Sequence, residues 1–163
     1  MREFAKLETP VRFRQSSPTE NTMWHKGTGK IVYNPWRGAL KKKRNWWCVV
    51  EVDTEITRYY RWWIERRYHI KGLCKPSWDA HISIIRGEEP SEEKMHLWKK
   101  YDGQIVEFEY KQHPRQSGDT TGGDRPDNFW FVEVKAPQLI DIRKEFELPY
   151  DWSLHLTVGR TWY

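Results

Sequence analysis

The sequence predicts an α+β fold in which a strand, helix, strand unit occurs twice. Residues 78–87 and 151–160 both alternate between apolar and polar side chains as a β-strand does, and both carry a histidine on the polar face. Each segment follows a helical pattern and, before that, a strand-like run that contains Val-Glu-Val. An internal repeat of this kind would place its two histidine strands side by side near a pseudo-twofold axis, so we expect both histidines to face one groove.

The first copy begins at residues 45–53, NWWCVVEVD, whose aromatic and β-branched residues favour a strand. Residues 54–70 then carry apolar side chains at helical spacing. The strand that follows places His81 and Ser83 on its polar face. Its predicted apolar face consists of Trp78, Ala80, Ile82 and Ile84.

The second copy repeats this order. Residues 127–135, DNFWFVEVK, predict a strand, and a helix follows that has Pro137 near its first turn and Pro149 just beyond its end. The last strand places His155 and Thr157 on its polar face. Its predicted apolar face consists of Trp152, Leu154, Leu156 and Val158.

The residues between the copies predict a short helix at 91–101 and an alternating strand at 104–112. The glycine- and proline-rich loop after them is either a flexible connection or a lid over a site. We expect a single domain of 163 residues. Its parts are an N-terminal arm at 1–44, a first lobe at 45–112, a connecting loop at 113–127 and a second lobe at 128–163.

The composition favours an anionic substrate. The net charge is +5, eleven residues are tryptophan, and basic and aromatic residues interleave in KKKRNWW and RYYRWWIERR. Such composition is typical of sites that neutralise phosphates and stack bases, although solvated turns and core tryptophans would also produce it. Cys48 and Cys74 lack paired metal spacing and predict reduced thiols. Since no signal peptide or membrane span is evident, we expect a soluble cytoplasmic protein.

Two imidazoles and two hydroxyls at one groove would form an acid and base site for phosphodiester cleavage. One group must take a proton from the attacking oxygen and another must give a proton to the leaving oxygen, and histidine suits both tasks because its ordinary pKa is about 6.5. The hydroxyls would donate hydrogen bonds to the non-bridging phosphate oxygens. We therefore assign the catalytic roles to His81, His155, Ser83 and Thr157.

No metal and no other cofactor are expected. The remaining histidines show no ligand spacing with one another or with carboxylates, and we interpret them as structural or surface residues. They are His25, His69, His96 and His113.

The motifs His-Ile-Ser at 81–83 and His-Leu-Thr at 155–157, each on a strand that follows a strand and a helix, resemble those of the 2H phosphoesterase superfamily. The resemblance implies a bilobal 2H phosphoesterase fold, with two pseudo-symmetric lobes whose antiparallel sheets surround a central groove. It also implies metal-independent action on 2',3'-cyclic phosphates and related RNA ends. The first motif has Ser where Thr is commoner, which keeps the hydroxyl.

The flanking segments GTGKIVYNPWRG, RYYRWW and WDAHISIIRGEEP are further similar to the phage anti-CBASS nucleases, T4-like enzymes that destroy the messengers of cyclic-oligonucleotide-based antiphage signalling. This similarity implies hydrolysis of the 3'-5' bonds of cyclic di- and trinucleotides, such as 3',3'-cyclic GMP-AMP and cyclic tri-AMP, in the host cell cytoplasm. The expected partner is that cyclic nucleotide, without a stable DNA or RNA complex and without a membrane. The sequence does not indicate the oligomeric state.

A cation and two aromatic side chains beside a glycine pair could cover a bound nucleotide, and we assign substrate binding to Lys30, Tyr33 and Trp36. The alternative is an arm whose aromatic residues only pack on the domain. Two other functions stay open. One is RNA end processing at 2',3'-cyclic phosphates. The other is a sponge, a protein that binds cyclic nucleotides or RNA without cleaving them. A sponge would not explain the matched histidine and hydroxyl pairs.

Overall fold

The computed structural model describes residues 23–36, 38, 45–76, 78–118 and 128–161. Its elements, in chain order, are β1 (Trp24–Tyr33), β2 (Trp47–Val52), α1 (Thr54–Tyr68), β3 (His81–Arg86), a 3₁₀ helix (Glu92–Leu97), β4 (Ile105–Lys111), β5 (Arg115–Gly118), β6 (Asn128–Lys135), α2 (Pro137–Glu145) and β7 (His155–Thr161). The predicted helix between the two copies is thus a shorter 3₁₀ helix. Neither α-helix in these ranges has the length and apolar character needed to span a membrane.

The strands form a closed six-stranded antiparallel barrel with one additional strand. The neighbours run in the order β4, β1, β2, β3, β7, β6, and β6 pairs with β4 to close the ring. The pairing of Tyr110 with Val134 belongs to this closure. The additional strand β5 pairs with the first part of β6, where Arg115 lies opposite Phe131.

The prediction of a bilobal 2H phosphoesterase fold with open antiparallel sheets around a central groove is therefore wrong. The elements β2, α1, β3 and β6, α2, β7 do occur in the predicted order. The two copies nevertheless share one sheet, because β3 pairs with β7 through Ile82 and Leu156 and β4 pairs with β6. In an open fold, the edges of these strands would border the groove. Here the edges instead pair with each other, and their pairing closes the ring.

Part of the segment predicted as an N-terminal arm is strand β1, which lies between β2 and β4. Gly29 allows close packing on β2, because a Cβ atom there would come within 2.5 Å of the Glu51 carbonyl oxygen. The remaining residues of that segment, 1–22, 37 and 39–44, lie outside the described residues, as do residues 119–127 of the predicted loop or lid.

One face of the sheet forms the hydrophobic core, to which both helices contribute. Burying each large aliphatic side chain contributes about 1.5–3 kcal/mol. The predicted apolar faces are confirmed for the residues that are at most 6% exposed. These are Ala80, Ile82, Ile84, Leu154, Leu156 and Val158. Trp78 and Trp152 are only half-buried. The histidines and hydroxyls alternate with the core residues and therefore lie on the opposite face of the sheet.

Candidate active site

The register of β3 and β7 brings the four predicted catalytic residues into one patch. These strands are antiparallel, with Ile82 opposite Leu156. The residues that flank this pair in sequence, His81 and Ser83 on β3 and His155 and Thr157 on β7, have the opposite parity and therefore lie together on the opposite face of the sheet. His81 and His155 flank the pair of Ile82 and Leu156 diagonally, and such diagonal positions are about 7–8 Å apart in a regular antiparallel pair.

Both imidazole rings are held in the same way. Nδ1 of His81 lies 2.7 Å from the carbonyl oxygen of Asp79, and Nδ1 of His155 lies 3.2 Å from the carbonyl oxygen of Ser153. A carbonyl oxygen can only accept, so Nδ1 carries a proton and donates it in both rings. Nε2 is then the nitrogen that gains or loses a proton during chemistry.

Aromatic side chains surround His81. The ring centroid of Trp78 lies 4.2 Å from that of His81, and the ring of Trp47 lies 6.0 Å away, edge to face. The indole Nε1 of Trp47 donates to the hydroxyl of Ser83 at 3.4 Å. Because the Ser83 oxygen accepts this bond, its own proton can be donated to a ligand oxygen. Trp78, which the alternation assigned to the core, packs instead against the histidine.

Two glutamates that the sequence analysis did not assign flank the histidines. Glu51 on β2 is the cross-strand partner of His81, and Glu133 on β6 is the partner of His155. Both belong to the repeated Val-Glu-Val, so the two copies place a carboxylate in the same position relative to the imidazole. The repeated Val-Glu-Val is visible in the sequence, but the position of its glutamates beside the histidines depends on how the strands pair.

Cations gather around Glu133 and hence beside His155. The Glu133 carboxylate accepts hydrogen bonds from Lys111 Nζ at 3.3 Å and from Arg115 at 3.0 Å. Burial acts to raise the pKa of Glu133, but the hydrogen bonds from Arg115 and Lys111 outweigh it and hold this pKa below its ordinary value. The carboxylate is therefore ionised at neutral pH and fixes two positive groups next to the imidazole.

The three predicted substrate-binding residues are separated. Lys30 is exposed on β1 as the cross-strand partner of Glu51, in the row that continues to His81. Tyr33 is 5% exposed and packs edge-on against Trp98, and burial raises the pKa of its hydroxyl. Trp36 is 82% exposed and follows β1. The structure thus places Lys30 in the same row as Glu51 and His81 and Tyr33 in the core.

A cleft with a volume of about 410 Å³ opens beside His155. It is bordered by Glu133 and Ser153, which also contact or pair with that histidine. Trp24 and Lys135 form another part of its wall. Two residues next to His155 thus border a concave surface, although His155 itself does not line it.

Within the ranges described above, no group of three or more His, Cys, Asp or Glu side chains is placed to hold a metal ion. Two of the other histidines make ring contacts instead: His25 with Tyr110 and His113 with Trp63.

No protein-family model, curated protein or solved structure matches this chain. The functional proposal therefore depends on the motif resemblance given above and on the geometry of the patch.

Proposed function

We propose that this protein is a phosphodiesterase that cleaves its substrate with His81 and His155 and without a metal ion. The observation that carries the proposal is the pairing of β3 with β7, which makes the two histidines diagonal neighbours on one face of the sheet. Two oriented imidazoles, each beside a hydroxyl, are the groups that a phosphodiester needs for two proton transfers and for charge stabilisation.

The Nδ1 contacts assign the atoms that move protons. In the neutral histidine, Nε2 is unprotonated and takes the proton of a ribose 2'-hydroxyl or of a water that attacks phosphorus. In the protonated histidine, Nε2–H gives its proton to the departing 5'-oxygen as the P–O bond breaks. After attack by the 2'-hydroxyl, a 2',3'-cyclic phosphate forms, and its hydrolysis reverses the two roles. Each positioned proton transfer contributes about 10²- to 10⁴-fold to the rate.

Polar groups of the patch would stabilise the charge that develops on the phosphate. Ser83 has its oxygen already engaged by Trp47, so its proton is available to a non-bridging oxygen. Thr157 is the matching hydroxyl in the second copy. Lys111 and Arg115 supply positive charge beside His155.

The substrate class that we propose is a cyclic di- or trinucleotide, whose 3'-5' bonds would be opened to block host antiphage signalling. Support comes from the similarity of the flanking segments to anti-CBASS nucleases, from the net charge of +5 and from the row formed by Lys30, Glu51 and His81. A compact anionic ring suits a patch in which cations lie on both sides of the histidines.

The test is incubation with 3',3'-cyclic GMP-AMP, followed by chromatography of the products, beside linear RNA that ends in a 2',3'-cyclic phosphate. Faster cleavage of the cyclic dinucleotide supports the proposal. Faster cleavage of the RNA end would reassign the enzyme to RNA end processing. Tight binding of intact cyclic GMP-AMP, without cleavage of either substrate, would make the protein a sponge.

Chelation should leave the rate unchanged, because the proposed proton transfers use only imidazole nitrogens. We expect equal initial rates before and after dialysis against EDTA, measured with 3',3'-cyclic GMP-AMP. A loss of activity that added Mg²⁺, Mn²⁺ or Zn²⁺ restores would contradict the two-histidine mechanism.

A further inference from the structure

The cleft is lined by two residues that pair with or contact His155 of the proposed catalytic patch. Glu133 pairs with His155 across the strands, and the carbonyl oxygen of Ser153 accepts the hydrogen bond from the His155 ring. Both residues also line the cleft. A ligand whose phosphate lies at His155 therefore has its next group at the mouth of the cleft.

The wall of the cleft combines an aromatic ring with ammonium groups. Lys135 and Lys144 line the cleft, and Lys135 Nζ lies 4.5 Å from the centre of the Trp24 ring. Lys111 does not line the cleft, but its Nζ lies 5.8 Å from the same ring. Lys111 also bonds Glu133, so contacts run without a break from Trp24 to the partner of His155. Aromatic faces bind bases by stacking, and the neighbouring cations bind phosphate.

The size of the cleft limits what it can hold. Small-molecule sites have volumes of about 300–1,000 Å³. At about 410 Å³ the cleft lies toward the lower end of this range. It has room for one nucleoside, and a whole cyclic dinucleotide would extend beyond it toward the histidines.

We propose that this cleft is the binding subsite for the nucleoside next to the scissile phosphate, with its base stacked on Trp24 and its phosphate near Lys135. The inference rests on the proposed function for the identity of the substrate. It assigns substrate binding to Trp24 at the start of β1 and to Lys135 at the junction of β6 with α2, away from Tyr33 and Trp36.

The experiment compares Trp24→Ala and Trp24→Phe with Trp62→Ala as the matched control. Trp62 lies on α1, is 48% exposed and does not line the cleft. Affinity for 3',3'-cyclic GMP-AMP is measured by calorimetry in the His81→Ala background, and KM and kcat are measured with the histidine intact. We expect Trp24→Ala to weaken binding and raise KM about 10-fold with little change in kcat, whereas Trp24→Phe and Trp62→Ala stay within about 3-fold of the wild type.

The two readouts separate this inference from the proposed function. Cleavage by the wild type with unchanged KM and affinity in Trp24→Ala would overturn the subsite and leave the enzyme intact. Absence of cleavage by the wild type would overturn the function, and binding would then decide the subsite. Weaker binding in Trp24→Ala supports it, and equal binding or no binding overturns it. If Trp24→Ala does not fold, Lys135→Met replaces it and should weaken binding about 5-fold.

Discussion

Replacing either His81 or His155 with alanine should reduce turnover of 3',3'-cyclic GMP-AMP by about 10²-fold or more, since each imidazole supplies one of the two proton transfers in the proposed mechanism. Glutamine variants should lose as much activity as the alanine variants, because an amide can occupy the position but cannot exchange a proton near neutral pH. Initial rates at saturating substrate, together with circular dichroism spectra, provide the measurement.

The matched control is His96→Ala, because His96 is an exposed histidine on the 3₁₀ helix. It should retain the wild-type rate. Full activity in either His81→Ala or His155→Ala would exclude the two-histidine mechanism. Activity retained in the glutamine variants and lost in the alanine variants would instead show that the rings act by packing or binding.

Replacing Arg143 with methionine should have the largest effect on stability. Arg143 is fully buried, yet it donates to the carbonyl oxygens of Ile84 at 2.8 Å and Pro149 at 2.6 Å and makes two hydrogen bonds to Glu88. Its guanidinium carbon also lies 4.1 Å from the centre of the Trp152 ring. It thus connects the end of β3 to the segment that enters β7. Removal would leave the carbonyl oxygen of the buried Ile84 and the partly buried Glu88 carboxylate without this donor, and should lower the free energy of unfolding by about 2–4 kcal/mol.

Urea denaturation measures this loss, with Arg58→Met as the control. Arg58 pairs with Glu55 on the surface of α1, with 73% of its side chain exposed, so its loss should cost about 0.5 kcal/mol or less. Arg143→Lys should fall between the two, since an ammonium cannot form the fork to Glu88. Similar stabilities for Arg143→Met and Arg58→Met would show that the buried network does not hold the strands together.

The ion pair between Arg143 and Glu88 also predicts that the stability of the fold depends on pH. The hydrogen bonds from Arg143 hold the pKa of Glu88 below its ordinary value. The pair therefore stabilises the fold above the unfolded pKa of about 4.3, and this contribution is lost as the pH falls through the folded pKa. We expect the stability difference between the wild type and Glu88→Gln to be present at pH 7 and to shrink below about pH 4. A difference that is unchanged at pH 3 would contradict an ionised pair.

The sequence by itself determined the faces of the two histidine strands. Alternation with a period of two is a local property of extended backbone, so Ile82 and Leu156 could be assigned to the core, and His81 and His155 to the opposite face, without knowledge of the fold. The helices α1 and α2 were predictable for the same reason, because the recurrence of apolar residues and the prolines around the second helix are local signals. Arg143 shows the limit of such signals, since a charged residue within a helical pattern predicts exposure rather than full burial.

Only the tertiary structure decided which strands pair. Closure of the sheet depends on the pairing of β3 with β7 and of β4 with β6. These pairings join residues that are far apart in the chain, and no local sequence pattern specifies them. The pairing of β2 with β3 and of β6 with β7 places Glu51 and Glu133 beside the histidines. The pairing of β1 with β2 adds Lys30 to the row of Glu51 and His81, while Tyr33 is buried on the other face. The strand register is set by the turns and by the fit of the whole core. A shift of the register by one residue would have moved these side chains to the opposite faces of the sheet.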